Sequence, residues 1–134
     1  VPGFVDDVRA YFQKATVFIC PITDGGGTRL KILDALAMGM PIVSTTFAAS
    51  GLALRDGEHL LLADTPEAFV QQVVNLLSGK ELRWRLAQNA REMAERIYSW
   101  HTIGRSLAAA YEQAAMRKVT GRNLAENSHL STTN

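Results

Sequence analysis

The residues best placed to do chemistry lie in one run, Asp24-Gly25-Gly26-Gly27-Thr28-Arg29-Leu30-Lys31-Ile32-Leu33-Asp34. An apolar segment, Val17-Phe18-Ile19-Cys20, ends just before it, and a stretch with helical spacing from Thr28 to Met38 begins within it. Three consecutive glycines let the backbone approach a ligand closely and leave several N–H groups unpaired at a helix start. The helix dipole adds about half a positive charge there, which favours phosphate. The run therefore reads as an anion site, suited best to a diphosphate.

The next residues sharpen that reading. Gly27, Lys31 and Asp34 are spaced i, i+4, i+7 and share one helical face, with Leu30, Leu33 and Ala37 opposite them toward a sheet. Lys31 is placed to neutralise phosphate charge. Asp34 is placed to accept hydrogen bonds from vicinal hydroxyls such as those of a ribose. The candidate binding set is thus Gly25, Gly26, Gly27, Thr28, Arg29, Lys31 and Asp34. A plainer reading makes Lys31 and Asp34 a surface ion pair worth about 0.3–0.5 kcal/mol. The glycine triplet alone is not specific. Arg29 and Leu30 break the register of a dinucleotide G-x-G-x-x-G, and no Gly-Lys-Ser/Thr of a P-loop follows.

The elements that must position this run alternate in period. Short apolar runs at Gly3–Val5, Thr16–Cys20, Pro41–Ser44 and His59–Leu62 fit strands buried on both faces. A short helix capped by Asp6 or Asp7 runs to about Lys14, with Val8, Tyr11 and Phe12 as its apolar face. Gly39 and Pro41 end the helix that carries Lys31. Strand alternating with helix predicts an α/β fold, a Rossmann-like parallel sheet flanked by helices, and the ligand edge of such a sheet is the carboxyl end of its strands.

The second half turns helical. Thr65-Pro66-Glu67 starts a helix that ends at Ser78-Gly79, with Phe69, Val73, Leu76 and Leu77 inward. A second helix, Lys80 to about Arg96, turns Leu82, Leu86, Ala90 and Met93 inward, and Ser99 caps a third, from Trp100 to about Lys118, with Ile103, Leu107, Ala110 and Tyr111 inward. The composition then shifts to Thr, Gly, Asn and Ser, so residues 1–118 are expected to form the domain and 119–134 a disordered tail.

Bulk properties bound the function. The 134 residues are 47% hydrophobic and suit one domain with a packed core, and 14 Lys and Arg against 13 Asp and Glu leave a net charge of +1. That balance gives no whole-chain argument for nucleic acid. The single cysteine, Cys20, excludes an intrachain disulfide and reads as a small core residue. No apolar run approaches the ~20 residues of a membrane helix and no signal peptide opens the chain, so a cytoplasmic domain is the default. The chain opens on Val1-Pro2-Gly3 without Met, on what reads as a strand tail, which leads us to expect residues upstream. Asp6-Asp7 and Asp56-Gly57-Glu58 read as a cap and a turn, and His59, His101 and His129 have no ligand spacing, so no metal is expected.

The run Gly25–Ala35 with Gly39-Met40-Pro41-Ile42-Val43-Ser44-Thr45 resembles the signature of family-four retaining glycosyltransferases of the GT-B fold. Their helix reads E, seven residues, E-A-M-A-x-G-x-P-V-V-x-T, with a G-G-G-T-R-L-K subgroup. Gly3-Phe4-Val5-Asp6-Asp7 is similar to the family's G-x-V-x-D strand end, and Tyr98-Ser99-Trp100 to its closing F-S-W helix, so the resemblance covers about residues 3–112.

The resemblance implies the donor-binding C-terminal half of such an enzyme, taking a UDP- or GDP-linked sugar and no further cofactor. Asp34 stands where the second acid holds the ribose. The first acid, which contacts the donor sugar, falls at Gly26, so that contact is missing, and Asp24 is the candidate substitute. Amides near Gly27 and Thr28 would bind the diphosphate, and the base would rest near Phe4 and Val5. Transfer would proceed on one face of the sugar, with the helix N-terminus and Lys31 stabilising the leaving diphosphate. The implied partner is the acceptor domain of the same enzyme, without which this half is expected to be inactive. Peripheral membrane association of the full enzyme and a homodimer through the face of Trp100, Ile103 and Leu107 complete the partner expectations. The alternatives are a GT-B epimerase or phosphorylase half and a non-catalytic α/β module. A receiver-type module is disfavoured because the strand ending at Cys20 offers no phosphoryl-accepting Asp.

Overall fold

A computed structural model describes residues 3–26 and 29–130, with side chains as far as Arg117. Three short strands, β1 (Phe18–Cys20), β2 (Ile42–Ser44) and β3 (Leu61–Leu62), pair in parallel in the order β1-β2-β3. Phe18 lies opposite Ile42 and Cys20 opposite Ser44, and Val43 lies opposite Leu61. The central strand is apolar at Ile42 and Val43 because both its faces are covered. Successive side chains point to opposite faces. Ile42 joins a core with Phe12, Cys20, Ile32, Leu36, Leu60 and Ala90, while Val43 joins Leu61, Leu76 and Leu86 in a second.

The helices are α1 (Arg9–Lys14), α2 (Leu30–Ala37), α3 (Thr46–Ala49), α4 (Pro66–Ser78), α5 (Lys80–Ile97) and α6 (Trp100–Leu130). The chain divides into two compact units, Val1–Tyr98 and Ser99–Asn134. Within the first unit α2 packs on α5, and α4 covers β2 and β3. Gly39 ends α2 with a φ of 63°, a left-handed conformation that glycine adopts without strain. Thr65 caps α4 by accepting from Ala68 N at 3.2 Å, and Pro66 opens the helix, as predicted. Gly79 joins α4 to α5, and the Arg83 guanidinium donates to the carbonyls of Leu76 and Leu77, two acceptors that the end of α4 leaves unpaired.

Several expectations are corrected. Gly3–Val5 forms no strand, and Phe4 is almost wholly exposed, because no strand pairs with it among the described residues. In α1 only Phe12 is buried, stacked 5.6 Å from Phe18, while Val8 and Tyr11 face solvent. Asp7, not a side chain at the cap position itself, accepts from Arg9 N at 2.9 Å and grips the Arg9 guanidinium, which holds its carboxyl below the usual range. In α4 the inward stripe is Phe69, Val73 and Leu76; Leu77, about 100° further round, is 55% exposed.

The largest correction concerns α2. Its buried residues are Ile32, Ala35 and Leu36, with Leu33 half-buried, whereas Leu30 is 59% exposed and Ala37 also faces solvent. The helix lies between the sheet and α5, and that wedge takes the stripe flanking Lys31 rather than the stripe opposite it. In α5 the expected stripe is buried at Leu86, Ala90 and Met93. The Ser99 hydroxyl accepts from Thr102 N at the start of α6, as expected. However, Trp100, Ile103, Leu107, Ala110 and Tyr111 are exposed rather than inward. The backbone of α6 is helical as far as Leu130. The last four residues lie outside the described residues.

Candidate functional site

The glycine run leaves the carboxyl end of β1 and leads into α2, at the sheet edge where open α/β folds take ligands. A cavity of about 290 Å³ opens there, lined by Cys20, Ile22, Gly26, Arg29, Leu30, Lys31, Ile32 and Ala48. Such a volume stands at the lower end of the ~300–1,000 Å³ of ligand sites, enough for one portion of a nucleotide rather than the whole. A second hollow of about 330 Å³ opens on the same edge toward α4, between Pro21, Thr23, Thr45, Asp64, Thr65 and Phe69 among others.

Three of the seven predicted binding residues meet in the first cavity: Gly26, Arg29 and Lys31. Gly25 adjoins it with a φ of 111°, a backbone conformation that a side chain would strain. Gly27 and Thr28 lie outside the described residues. Asp34 is exposed on the outward face of α2 and is not among the lining residues. Lys31 and Asp34 form no ion pair, so the plainer surface-pair reading loses its basis and both charges stay uncompensated among the described residues. Asp24 is exposed next to the cavity loop.

Charge at the cavity comes from Lys31 and from Arg29, the residue that opens α2. Its Nη2 donates to Ser50 Oγ at 3.0 Å, and its guanidinium carbon stands 4.9 Å from the centre of the Phe47 ring. A cation over an aromatic face gains about 0.5–1 kcal/mol at an exposed site. Phe47 and Ser50 belong to α3 and its end, which periodicity missed: four residues are too few to show a helical repeat. The legible signal was Thr45, whose hydroxyl oxygen accepts from Ala48 N at 3.0 Å and so caps α3. The same hydroxyl donates to the carbonyl of Ile22, tying α3 to the loop that lines the cavity. On the far side, the Asp64 carboxylate accepts from Thr46 Oγ1 at 2.7 Å and from Thr46 N at 2.8 Å. These bonds favour the ionised form and hold the Asp64 carboxyl below its usual range.

Other polar residues take structural roles. Cys20 is buried in the core. Asp56 opens the expected turn, with Gly57 at a φ of 70°, and accepts from Leu62 N. His59 is buried and its Nδ1 accepts from Arg55 N at 3.1 Å. Among the described residues no group of three or more His, Cys, Asp or Glu is placed to hold a metal, and no helix is long and apolar enough to cross a membrane.

Known proteins share this architecture. The C-terminal domain of LpcC from Francisella tularensis, described as a glycosyl transferase group 1 family protein, superposes with a TM-score of 0.65 at 21% identity, over 73% of this chain and 52% of that one. Sucrose-phosphate synthase from Thermosynechococcus elongatus gives a TM-score of 0.69 at 20% identity, over 82% of this chain and 28% of that one. Both are GT-B glycosyltransferase structures, and they establish the fold. A phosphatidyl-myo-inositol mannosyltransferase from Mycobacterium leprae is 32% identical over 84% of this chain, which spans 31% of that relative. An uncharacterized glycosyltransferase from Methanocaldococcus jannaschii is 24% identical over 81% of this chain and is likewise spanned for 31% of its length. The chain thus corresponds to about a third of these relatives. A family model described as "Glycosyl transferases group 1" matches residues 1–79, more than half of the chain, at the sheet edge and helix that form the cavity. The chain belongs to the group 1 glycosyl transferases.

Proposed function

We propose that this chain is the donor-binding half of a retaining glycosyltransferase and takes a UDP- or GDP-linked sugar. The observation that carries the reading is the cavity at the carboxyl end of β1, where Gly26, Arg29 and Lys31 converge at the start of α2. Arg29 and Lys31 bring two cations to it with no carboxylate among the lining residues, and the helix N-terminus adds its partial charge. Its volume fits the diphosphate. The ribose then lies outward along α2, where Asp34 stands exposed, three residues beyond Lys31, with no ion-pair partner among the described residues.

In transfer, Lys31 and the amides at the start of α2 stabilise the negative charge that builds on the departing diphosphate. Lys31 is the catalytic residue on this reading, with Gly25, Gly26, Gly27, Thr28 and Arg29 as the diphosphate cradle. No metal or other cofactor enters. The acceptor comes from the other domain of the enzyme, as in a two-domain architecture of which this chain spans about a third of the relatives' length. Sugar transfer by this half alone is not expected.

Calorimetric titration with UDP and GDP tests the reading. One of the two should bind, and Asp34→Ala should weaken it by about 1–3 kcal/mol, the cost of removing a hydrogen-bonded charge. Unchanged affinity in Asp34→Ala would remove the ribose role. Absence of binding both to this chain and to the full enzyme would remove the donor site.

A further inference from the structure

Arg29 differs from Lys31 in how it is held. Lys31 is exposed, with no hydrogen bond or ion pair holding it among the described residues, whereas Arg29 is half-buried and fastened at two points, by Phe47 and Ser50. We propose that Phe47 and Ser50 are positioning residues that fix the Arg29 guanidinium at the cavity as a preset cationic clamp for the donor diphosphate, an inference that rests on the donor reading above.

The chemistry of the fastening supports this. A carboxylate partner would hold an arginine as firmly but cancel its charge. Here the partners are a neutral ring and a hydroxyl, and the ion pairs among the described residues do not include Arg29. Ser50 Oγ spends its proton on the Phe47 carbonyl at 2.7 Å, so it presents lone pairs to Arg29. One guanidinium N–H is consumed out of five, and the remaining donors suit the fork geometry that phosphate oxygens prefer.

The platform is itself secured without Arg29. Thr45 caps α3 and donates to the Ile22 carbonyl, and Thr46 is bound by Asp64. The guanidinium is therefore set in place before any ligand arrives, and binding need not order it. Lys31 supplies charge; Arg29, so held, supplies direction.

The test is a titration of the full chain with UDP and with GDP, comparing wild type, Arg29→Ala, Phe47→Leu, Ser50→Ala and the two double variants that combine the last two with Arg29→Ala. Arg29→Ala should weaken the nucleotide that binds by about tenfold or more, and Phe47→Leu and Ser50→Ala by roughly threefold each. In the Arg29→Ala background both should cost nothing further, because a positioning residue acts only through what it positions. Arg29→Lys should not restore affinity, since a point charge has no fork. Losses of equal size in both backgrounds would mean that Phe47 and Ser50 merely shape the fold and would overturn the proposal. Full affinity in Phe47→Leu and Ser50→Ala, with Asp34→Ala weakened, would overturn the clamp and leave the donor reading standing. Failure of wild type to bind either nucleotide, both as this chain and as the full enzyme, would overturn both together.

Discussion

Replacing Thr45 by Val isolates a single oxygen on which the candidate site depends. Val and Thr have nearly the same shape, and Thr45 is 4% exposed, so the substitution leaves no cavity and removes only the hydroxyl. Two bonds go with it. The first caps α3 at Ala48 N, and loss of a Thr cap costs about 1 kcal/mol. The second is donated to the Ile22 carbonyl, a partly buried acceptor whose bond contributes about 1 kcal/mol net. Together they predict a destabilisation of about 2 kcal/mol. With a urea m-value of about 1.5 kcal/mol/M, the unfolding midpoint should fall by about 1.3 M. Thr45→Ser keeps the hydroxyl and loses one methyl, about 0.8 kcal/mol, so its midpoint should fall by only about 0.5 M. Nucleotide affinity should follow the same order, because Ile22 lines the cavity that the second bond anchors. Equal midpoints for the Val and Ser variants in urea titrations followed by circular dichroism would show that the hydroxyl does not hold α3 to the loop, and the reasoning would fail.

Two further predictions use the same protein. Leu36 is fully buried in α2 and Leu30 is 59% exposed, so Leu36→Ala should cost about 2–5 kcal/mol and Leu30→Ala less than about 0.5 kcal/mol in denaturant titration; similar costs would mean that the helix presents a different face. The Asp64 carboxyl is held low by its bonds from Thr46, so its contribution to stability is present above the ordinary carboxylate value near pH 4 and is lost as pH falls through the depressed folded value. Wild type should therefore lose stability below about pH 4 more steeply than Asp64→Asn, in thermal melts across pH 2–6, and parallel curves would contradict the assigned bonds.

How far the sequence carried differs from element to element, and α2 shows why. Its existence and its end at Gly39 were legible, because the glycine and the Pro-Ile-Val run that follows act through local backbone rules. Its buried face was not. Of the eight residues Leu30–Ala37, only Lys31 and Asp34 are polar, so several apolar stripes of similar strength run along the helix. Which one is buried depends on where β2 and α5 stand, and no pattern within the helix records that. In α4 a cap and an N-terminal proline marked the start, yet Leu76 and Leu77 are equally apolar and only the sheet beneath decides between them. For Gly3–Val5 a strand-like composition met no partner among the described residues, and a strand without a ladder has no place for its hydrogen bonds.

The candidate site divides along the same line. The groups proposed to touch a diphosphate come from one continuous segment, Gly25–Lys31, and were proposed from that segment alone. The groups that hold them come from far along the chain: Ser50 is 21 residues from Arg29, Thr45 is 23 from Ile22, and Asp64 is 18 from Thr46. These pairings all converge on α3, a four-residue helix with no periodic signature of its own. Chemistry here is local and positioning is not. A change that silences the site need not fall on a residue that meets the ligand. On the clamp proposed above, Phe47, Ser50 and Thr45, which carry no charge, decide the geometry of the cationic pocket.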